Sequence, residues 1–480
     1  MKSFKFFGLC VLLVAALASC KKYSYFQTNP NLPSNATPSL LLTDICYSIF
    51  YTDNTSASFA SRHLTYYERG NSNVDYSWTA GSFDNYNVLR QVMQMDSLAK
   101  QLNQPQYLGL TKLFRAILFS QLTEQFGDIP YSQALQAISG NFKPAYDSQE
   151  SIYEGLLGEL DDANTLLDPS KGKINGDIIF NGDATEWKKF ANAFKLRLLI
   201  HLSKKEVDGT LNVKQQFQNI VSNASKYPLL ESNNDNAQLV FNTSAPDNYY
   251  PDYGYLSLAT AVSMEKGFVE ILKDRKDPRL FQIAEPVSGL PEGDFTSYAG
   301  VDAGLTVSDQ QTASSDASRI KLRYHDDKVN EPWIFLGYAE QEFLIAEGIS
   351  RGWASGNAKD HYENGILASM DFYGVATADA NAYLSNTNVA FNTTDALTLI
   401  AYQKYIAMFM NSNWETFVEQ RRTGIPTFDV GAGTYNNGKV PKRWLYPQTE
   451  YDYNADNLNK ALQNQYSGND DVNAVMWLIQ

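Results

Sequence analysis

In the segment 107–126 the apolar residues Leu110, Leu113, Phe114, Ile117, Leu118 and Leu122 follow the i, i+3, i+4, i+7 rule of a helix face. A strand would need alternation every second residue, so this segment cannot belong to a sheet. Gly127 then supplies a left-handed cap and Pro130 blocks continuation. The same period predicts helices over 84–102, 149–167, 185–204, 212–223, 257–272, 333–351, 357–373 and 395–410, after a first one that begins near Leu40. Asp183 and Glu186 form a box-like cap for the helix that carries Trp187, Phe190, Phe194 and Leu198. Ser412 and Glu415 read as a capping box for 413–422, which stops at Gly424 and Pro426. Strand signals are few, at Ala237–Phe241 and Ile320–Tyr324. Three pairs are joined by short connections: 84–102 with 107–126, 149–167 with 185–204, and 333–351 with 357–373. Stacked helical hairpins of a tetratricopeptide type fit this order, although the repeat consensus is not legible. Periodicity alone establishes a mainly α chain with few short strands.

The N-terminus carries an export address. Lys2 and Lys5 precede the apolar run 6–17, which is too short to span a bilayer. Leu17-Ala18-Ser19-Cys20 follows, the order of a lipoprotein cleavage site. Residues 1–19 are therefore expected to be a signal peptide, with Cys20 the lipidation site that anchors the chain to a membrane without crossing it. Residues 20–38, with Pro30, Pro33 and Pro38, read as a lipidated tether. No low-complexity linker divides the remainder, so 39–480 is expected to be one domain.

The net charge of −14 excludes nucleic acid and anionic lipid surfaces as natural partners. After loss of Cys10 and acylation of Cys20, Cys46 stands alone, so no intrachain disulfide forms. It lies among Leu41, Leu42, Ile45 and Ile49 and reads as a buried thiol. His63, His201, His325 and His361 show no metal-ligand spacing, and no metal or cofactor is expected. No catalytic motif appears: there is no Gly-x-Ser-x-Gly, no His-Glu-x-x-His, no phosphate loop and no calcium loop. A glycosidase needs only two placed carboxylates, and nothing singles out a pair. Glu340 and Glu347 fall on the apolar face of 333–351, where a carboxylate needs a partner. Arg421 and Arg422 are the candidates, and a buried ion pair is the preferred reading over a catalytic acid. Asn233-Asn234-Asp235-Asn236 and Asn469-Asp470-Asp471 read as solvated loops.

Aromatic residues make up 13% of the chain. They gather in the long irregular stretches 54–82, 228–256, 284–318 and 424–472, which argues for ordered loops. Tyr66, Tyr67, Tyr76 and Trp78 lie in one cluster, and Tyr249, Tyr250, Tyr253 and Tyr255 in another. Rings with a polar tip suit partly wet binding surfaces, and their faces stack on sugar C–H groups or peptide side chains. These eight are the candidate ligand-binding residues. Packing of loops onto helices is the competing reading.

Several fragments in order resemble the SusD/RagB nutrient-binding lipoproteins of Bacteroidetes, in the SusD-like branch. They are Asn29-Pro30-Asn31, Thr37-Pro38-Ser39-Leu40-Leu41, Phe126-Gly127-Asp128-Ile129-Pro130-Tyr131, Asp177-Ile178-Ile179-Phe180-Asn181-Gly182-Asp183 with Trp187, Gly300-Val301-Asp302-Ala303-Gly304-Leu305, Arg421-Arg422-Thr423-Gly424-Ile425-Pro426 and Pro441-Lys442-Arg443-Trp444-Leu445-Tyr446-Pro447. The resemblance implies four tetratricopeptide-type helix pairs with a loop-rich C-terminal part. It implies an outer-membrane, surface-facing lipoprotein that catches oligosaccharides or peptides. The partner it implies is a SusC-like TonB-dependent channel. An aromatic arc in the loop ahead of the first repeat helix would place Trp78 at the ligand. Surface-exported relatives often carry an acidic patch after the lipid cysteine, whereas Lys21-Lys22-Tyr23 stands here. The alternatives are a lipoprotein glycoside hydrolase and a protein-binding repeat scaffold without a small ligand.

Overall fold

The computed structural model describes residues 36–207 and 209–480. The expected signal peptide, Cys20 and most of the tether lie outside the described residues. Helix α1 (Pro38–Phe50) opens with proline in its first turn, where the missing N–H costs nothing. It buries Leu42, Ile45, Cys46 and Ile49 and leaves Tyr47 and Tyr51 outside. Cys46 is a free, fully buried thiol, and burial raises its pKa. The short helix α2 (Asn54–Ala60) is capped by Asp53, whose carboxylate accepts from the Ser56 N–H.

The expected pairs then appear. Helix α3 (Asn85–Gln101) packs on α4 (Pro105–Phe126), and α4 on α5 (Gln149–Leu166). In turn α5 packs on α6 (Ala184–His201), whose cap is Asp183, accepting from the Thr185 N–H. Glu186 does not close a box; it pairs with Lys189 instead. After α7 (Val213–Ser222), the hairpin of α9 (Tyr338–Ser350) and α10 (Ala358–Phe372) forms as expected, and α9 also rests on α6 and on α11 (Ala396–Ala407). Trp187 of α6 is fully buried with Phe50, Phe114, Phe180 and Phe190 around it, and its Nε1–H donates to Asp177 at 2.8 Å. Gly176, at φ +84°, lets the loop before α6 lie against α1: a Cβ there would meet the Ser39 carbonyl oxygen at 2.1 Å. The described residues are thus mainly helical, with tetratricopeptide-like pairs and few short strands.

Two expected helices are shorter than the periodicity implied, for the same reason. In 257–272 the middle is strand β3 (Val262–Met264), which pairs antiparallel with β1 (Leu64–Tyr66). Helix α8 (Lys266–Asp274) starts only after Glu265 caps it. In 333–351 the first residues form β4 (Trp333–Leu336), antiparallel to β2 (Ala237–Leu239), and Gly337 separates it from α9. Pairing with a distant segment satisfies the backbone there and overrides local helical preference. Ile320–Tyr324 is not a strand: Ile320 makes one isolated bridge to Ala284, and a helical turn follows at Arg323–Asp326. The two polar runs are also tied down. Asp235 holds Lys189, Asn236 accepts from the Tyr338 N–H, and Asp470 pairs with Arg443.

One buried apolar cluster runs from Leu42 to Ile479, with a smaller one between α9, α10 and α11. None of the described helices is long and apolar enough to cross a membrane.

Candidate binding cleft

Side chains of helix α12 (Glu415–Thr423) reach α4 and α6, and a cleft of about 660 Å³ opens between these three helices and the end of α1. Its floor is ionic. Burying so many charges is tolerable only because they are paired. His201 of α6 meets Glu124 of α4 at 2.8 Å through Nδ1 and Glu415 of α12 at 2.9 Å through Nε2. Burial disfavours the imidazolium, but Glu415 and Glu124 outweigh it and raise the pKa to about 10. Burial likewise disfavours the Glu415 carboxylate, yet His201 and Arg197 hold its pKa down to about 2. Arg197 forks onto Glu340 at 2.6 and 2.7 Å and donates to the Phe335 carbonyl at 2.8 Å. Arg422 forks onto Glu347 at 2.7 and 2.9 Å and also holds Glu419, which Lys404 reaches at 2.9 Å.

The buried ion-pair reading of Glu340 and Glu347 therefore holds, with one partner reassigned. Arg422 serves Glu347 as expected, but Glu340 belongs to Arg197. Glu415, expected to cap its own helix with Ser412, makes no such cap; Trp414 precedes the helix without a side-chain bond, and Glu415 goes to His201.

His201, Glu415 and Glu419 also place ligand atoms within 4.8 Å of one another. Arg197, Lys404 and Arg422 already neutralise this trio's surroundings, so its negative charge is spent on cations of the protein itself. Glu265, Asp302 and Asp429 form a second such group. Burial lifts Glu265 to about 7 although Arg62 opposes it, and the N–H groups of Phe268 and Ala303 point at its carboxyl.

The walls of the cleft are aromatic. On one side Trp414 and Trp444 line it, with ring centroids 5.0 Å apart. Trp78 stacks behind Trp444 at 4.3 Å and 23°, half-buried, and its Nε1–H has no partner. On the other side Tyr51 lines the mouth, stacked on Tyr47 at 4.9 Å and 26°. Both rings are exposed, at 42% and 40%. Tyr51 also touches Trp333 at 5.4 Å, and Trp333 touches Tyr250 at 5.9 Å. Between the walls stand amides and hydroxyls, among them Asn85, Gln121, Gln125 and Asn413.

The sequence-predicted aromatic residues divide. Tyr66, Tyr67 and Tyr76 are buried, and their hydroxyls donate to Glu68, the Thr260 carbonyl and the Ala60 carbonyl. Tyr76 lies under Arg62 at 4.1 Å. Tyr250 is 1% exposed between Phe241 and Trp333. The rings of Tyr76 and Tyr250 are enclosed and pack the loops onto the core, and Tyr66 and Tyr67 are covered almost as fully. Tyr253 and Tyr255 are exposed, and Tyr249 meets Tyr253 edge-on at 5.6 Å beneath Lys328. Tyr47, Tyr51, Trp414 and Trp444 were absent from the predicted set. The spacing of Tyr47 and Tyr51, four apart at the C-terminal end of α1, was the available signal.

The His201 pair sets a pH dependence. The folded pKa of about 10 exceeds the unfolded value of 6.5, so its stabilisation is complete below 6.5 and is lost as pH rises toward 10. Glu415 acts in the opposite sense: its stabilisation is complete above 4.5 and is lost as pH falls toward 2. Thermal unfolding is expected to show a falling melting temperature, by several degrees, across the alkaline window. The His201→Gln variant should start lower and show a flatter fall. An unchanged alkaline limb in that variant would reject this assignment.

Comparison with known proteins agrees with this architecture. The family model SusD-like_2, described as starch-binding associating with outer membrane, matches residues 30–447. A SusD homolog from Bacteroides fragilis is 38% identical, with a TM-score of 0.86 over 93% of this chain and 100% of that one. An outer-membrane protein from Bacteroides vulgatus, described as involved in nutrient binding, is 36% identical at a TM-score of 0.86, with the same coverage. A chitin-binding protein is 25% identical at a TM-score of 0.75, again covering 93% of this chain and 100% of that one. No curated protein matches. With a family model over most of its length and well-covered relatives above one-third identity, this chain belongs to the SusD/RagB family, in its SusD-like branch.

Proposed function

We propose that this protein is a non-enzymatic outer-membrane lipoprotein, anchored through Cys20, that captures oligosaccharides and passes them to a SusC-like TonB-dependent channel. The observation that carries the reading is the exposed, stacked Tyr47/Tyr51 pair at the mouth of a polar cleft whose far wall is Trp414 and Trp444. Flat rings on both sides suit the C–H faces of pyranoses, and the amides between them suit hydroxyls. Tyr249, Tyr253 and Tyr255 extend the exposed aromatic surface, and Trp78 supports Trp444 from behind. Membership of a family described as starch-binding, and a chitin-binding relative, favour glycan over peptide. Against hydrolysis stands the use of the buried carboxylates. Glu124 and Glu415 are both bound to His201, and Glu415 is held far too acidic to donate a proton near neutral pH.

The test is calorimetry on the soluble chain begun after Cys20, against neutral and acidic oligosaccharides and a peptide panel. Binding of a glycan without turnover is expected. Binding of peptides alone would transfer the cleft to another ligand class, and glycan hydrolysis would replace capture by catalysis.

A further inference from the structure

Three cations line the cleft: Arg197, His201 and Arg421. Two of them have carboxylate partners. Arg421 is 5% exposed, and among the described residues no carboxylate forms an ion pair with it. Its Nη1 donates to the carbonyl oxygens of Glu124 at 2.9 Å and Lys442 at 2.8 Å, while its buried Nε–H has no partner. The guanidinium lies near the rings of Phe417 at 5.4 Å and Trp444 at 5.8 Å.

We infer that Arg421 forms an anion subsite in the cleft, which receives the carboxylate of a hexuronate unit in a bound oligosaccharide. The inference rests on the reading of the cleft as a glycan site and names the substrate class within it. A buried guanidinium that touches only carbonyls and ring faces keeps most of its desolvation cost, and burial pulls the Arg421 pKa down to about 10 despite Glu124. A bound carboxylate supplies the missing counter-charge. Trp444 fixes the geometry, because it lines the cleft while lying over the guanidinium. A pyranose held beside Trp444 would bring a carboxylate substituent toward the guanidinium, which lies 5.8 Å from that ring. The carboxylates that face the same space do not occupy the cation. Glu124 is held by His201 and the Tyr153 hydroxyl, and Glu415 by His201. Asp53 and Asp84 also line the cleft; Asp53 caps α2, and Asp84 is exposed to solvent. The two carbonyl contacts show that Arg421 also clamps the 442–444 segment to α4, so the test must separate charge recognition from folding.

The experiment is calorimetry of the soluble chain with a glucuronate-containing oligosaccharide and with the same oligosaccharide after reduction of its carboxyl groups. Wild type, Arg421→Gln and Arg421→Lys are compared, with melting temperature recorded for each. Wild type is expected to bind the acidic form roughly 10-fold more tightly than the reduced form, the difference expected of one charge-assisted hydrogen-bonded pair. The preference should vanish in Arg421→Gln and persist in part in Arg421→Lys. Equal binding of both forms by wild type overturns the anion subsite but leaves glycan capture standing, and this comparison needs no variant to fold. A preference retained in a folded Arg421→Gln also overturns it. Tighter binding of an acidic peptide than of either sugar overturns the hexuronate assignment. Binding of neither sugar overturns this inference together with the capture reading.

Discussion

Replacing Arg422 by Met should destabilise the protein by about 3–5 kcal/mol, the range for removing one member of a buried charge pair. The side chain reaches two carboxylates, Glu347 of α9 and Glu419 of its own helix. All three residues are at most 7% exposed. Glu419 keeps Lys404 at 2.9 Å, and Glu347 keeps Arg351 at 2.8 Å, a partner that is itself partly solvated. The loss falls mainly on Glu347, whose carboxylate Arg422 holds below its ordinary pKa against the opposing effect of burial. Chemical denaturation with tryptophan fluorescence would measure it. A change below about 1 kcal/mol, the range of surface pairs, would mean that water compensates the carboxylates and that the network is not closed. The double variant Arg422→Met, Glu347→Leu should recover much of the loss, since a buried pair replaced by apolar groups is often neutral.

The second large effect is on binding. The Tyr47→Ala, Tyr51→Ala double variant should weaken capture of the preferred glycan by roughly 30-fold or more, about 2 kcal/mol for aromatic residues that anchor an interface. Both rings are exposed and stack on each other, so stability should barely change. Trp444→Ala is a less discriminating probe, because its ring also supports Trp78, Trp414 and Phe417. If the Tyr47/Tyr51 variant binds as tightly as wild type, the ligand surface lies elsewhere, and Tyr249, Tyr253 and Tyr255 become the next residues to change.

Most helices were legible because each buries a stripe that its own sequence displays. The α4 stripe from Leu110 to Leu122 and the Trp187–Phe194 stripe of α6 need no knowledge of their neighbours. The failures occur where the deciding partner is far away. Val262–Met264 and Trp333–Leu336 are apolar enough for a buried helix turn, and only Leu64–Tyr66 and Ala237–Leu239 make them strands. The binding cleft was hidden for the same reason. Its residues come from the end of α1 and the turn after it, the start of α3, α4, α6, Phe335 of β4, the turn before α12, α12 itself and Trp444, and no local spacing joins them. Of the tyrosines that stand out in sequence, Tyr66, Tyr67, Tyr76 and Tyr250 are buried, because a ring beside many other rings is commonly part of a small core, whereas Tyr253 and Tyr255 are exposed. Glu340 and Glu347 were readable as buried pairs. Arg197 as the partner of Glu340 was not, since the two lie 143 positions apart and no local spacing links them.

The charge floor joins residues that the chain delivers at very different times. Glu124 and His201 lie in the first half, whereas Glu415 follows His201 by 214 positions. The chain end is fastened in the same way: Gln149 accepts from the Leu478 N–H, a separation of 329, and Lys204 donates to the Ile479 carbonyl, a separation of 275. Until α12 arrives, His201 has Glu124 but lacks Glu415, and closing a span of that length comes before the contact it makes possible. The early hairpins are thus completed only by contacts with much later segments. Packing around His201 and Gln149 is therefore finished by segments hundreds of positions further on, so a lesion near residue 415 or 478 would loosen helices that lie far from it in sequence.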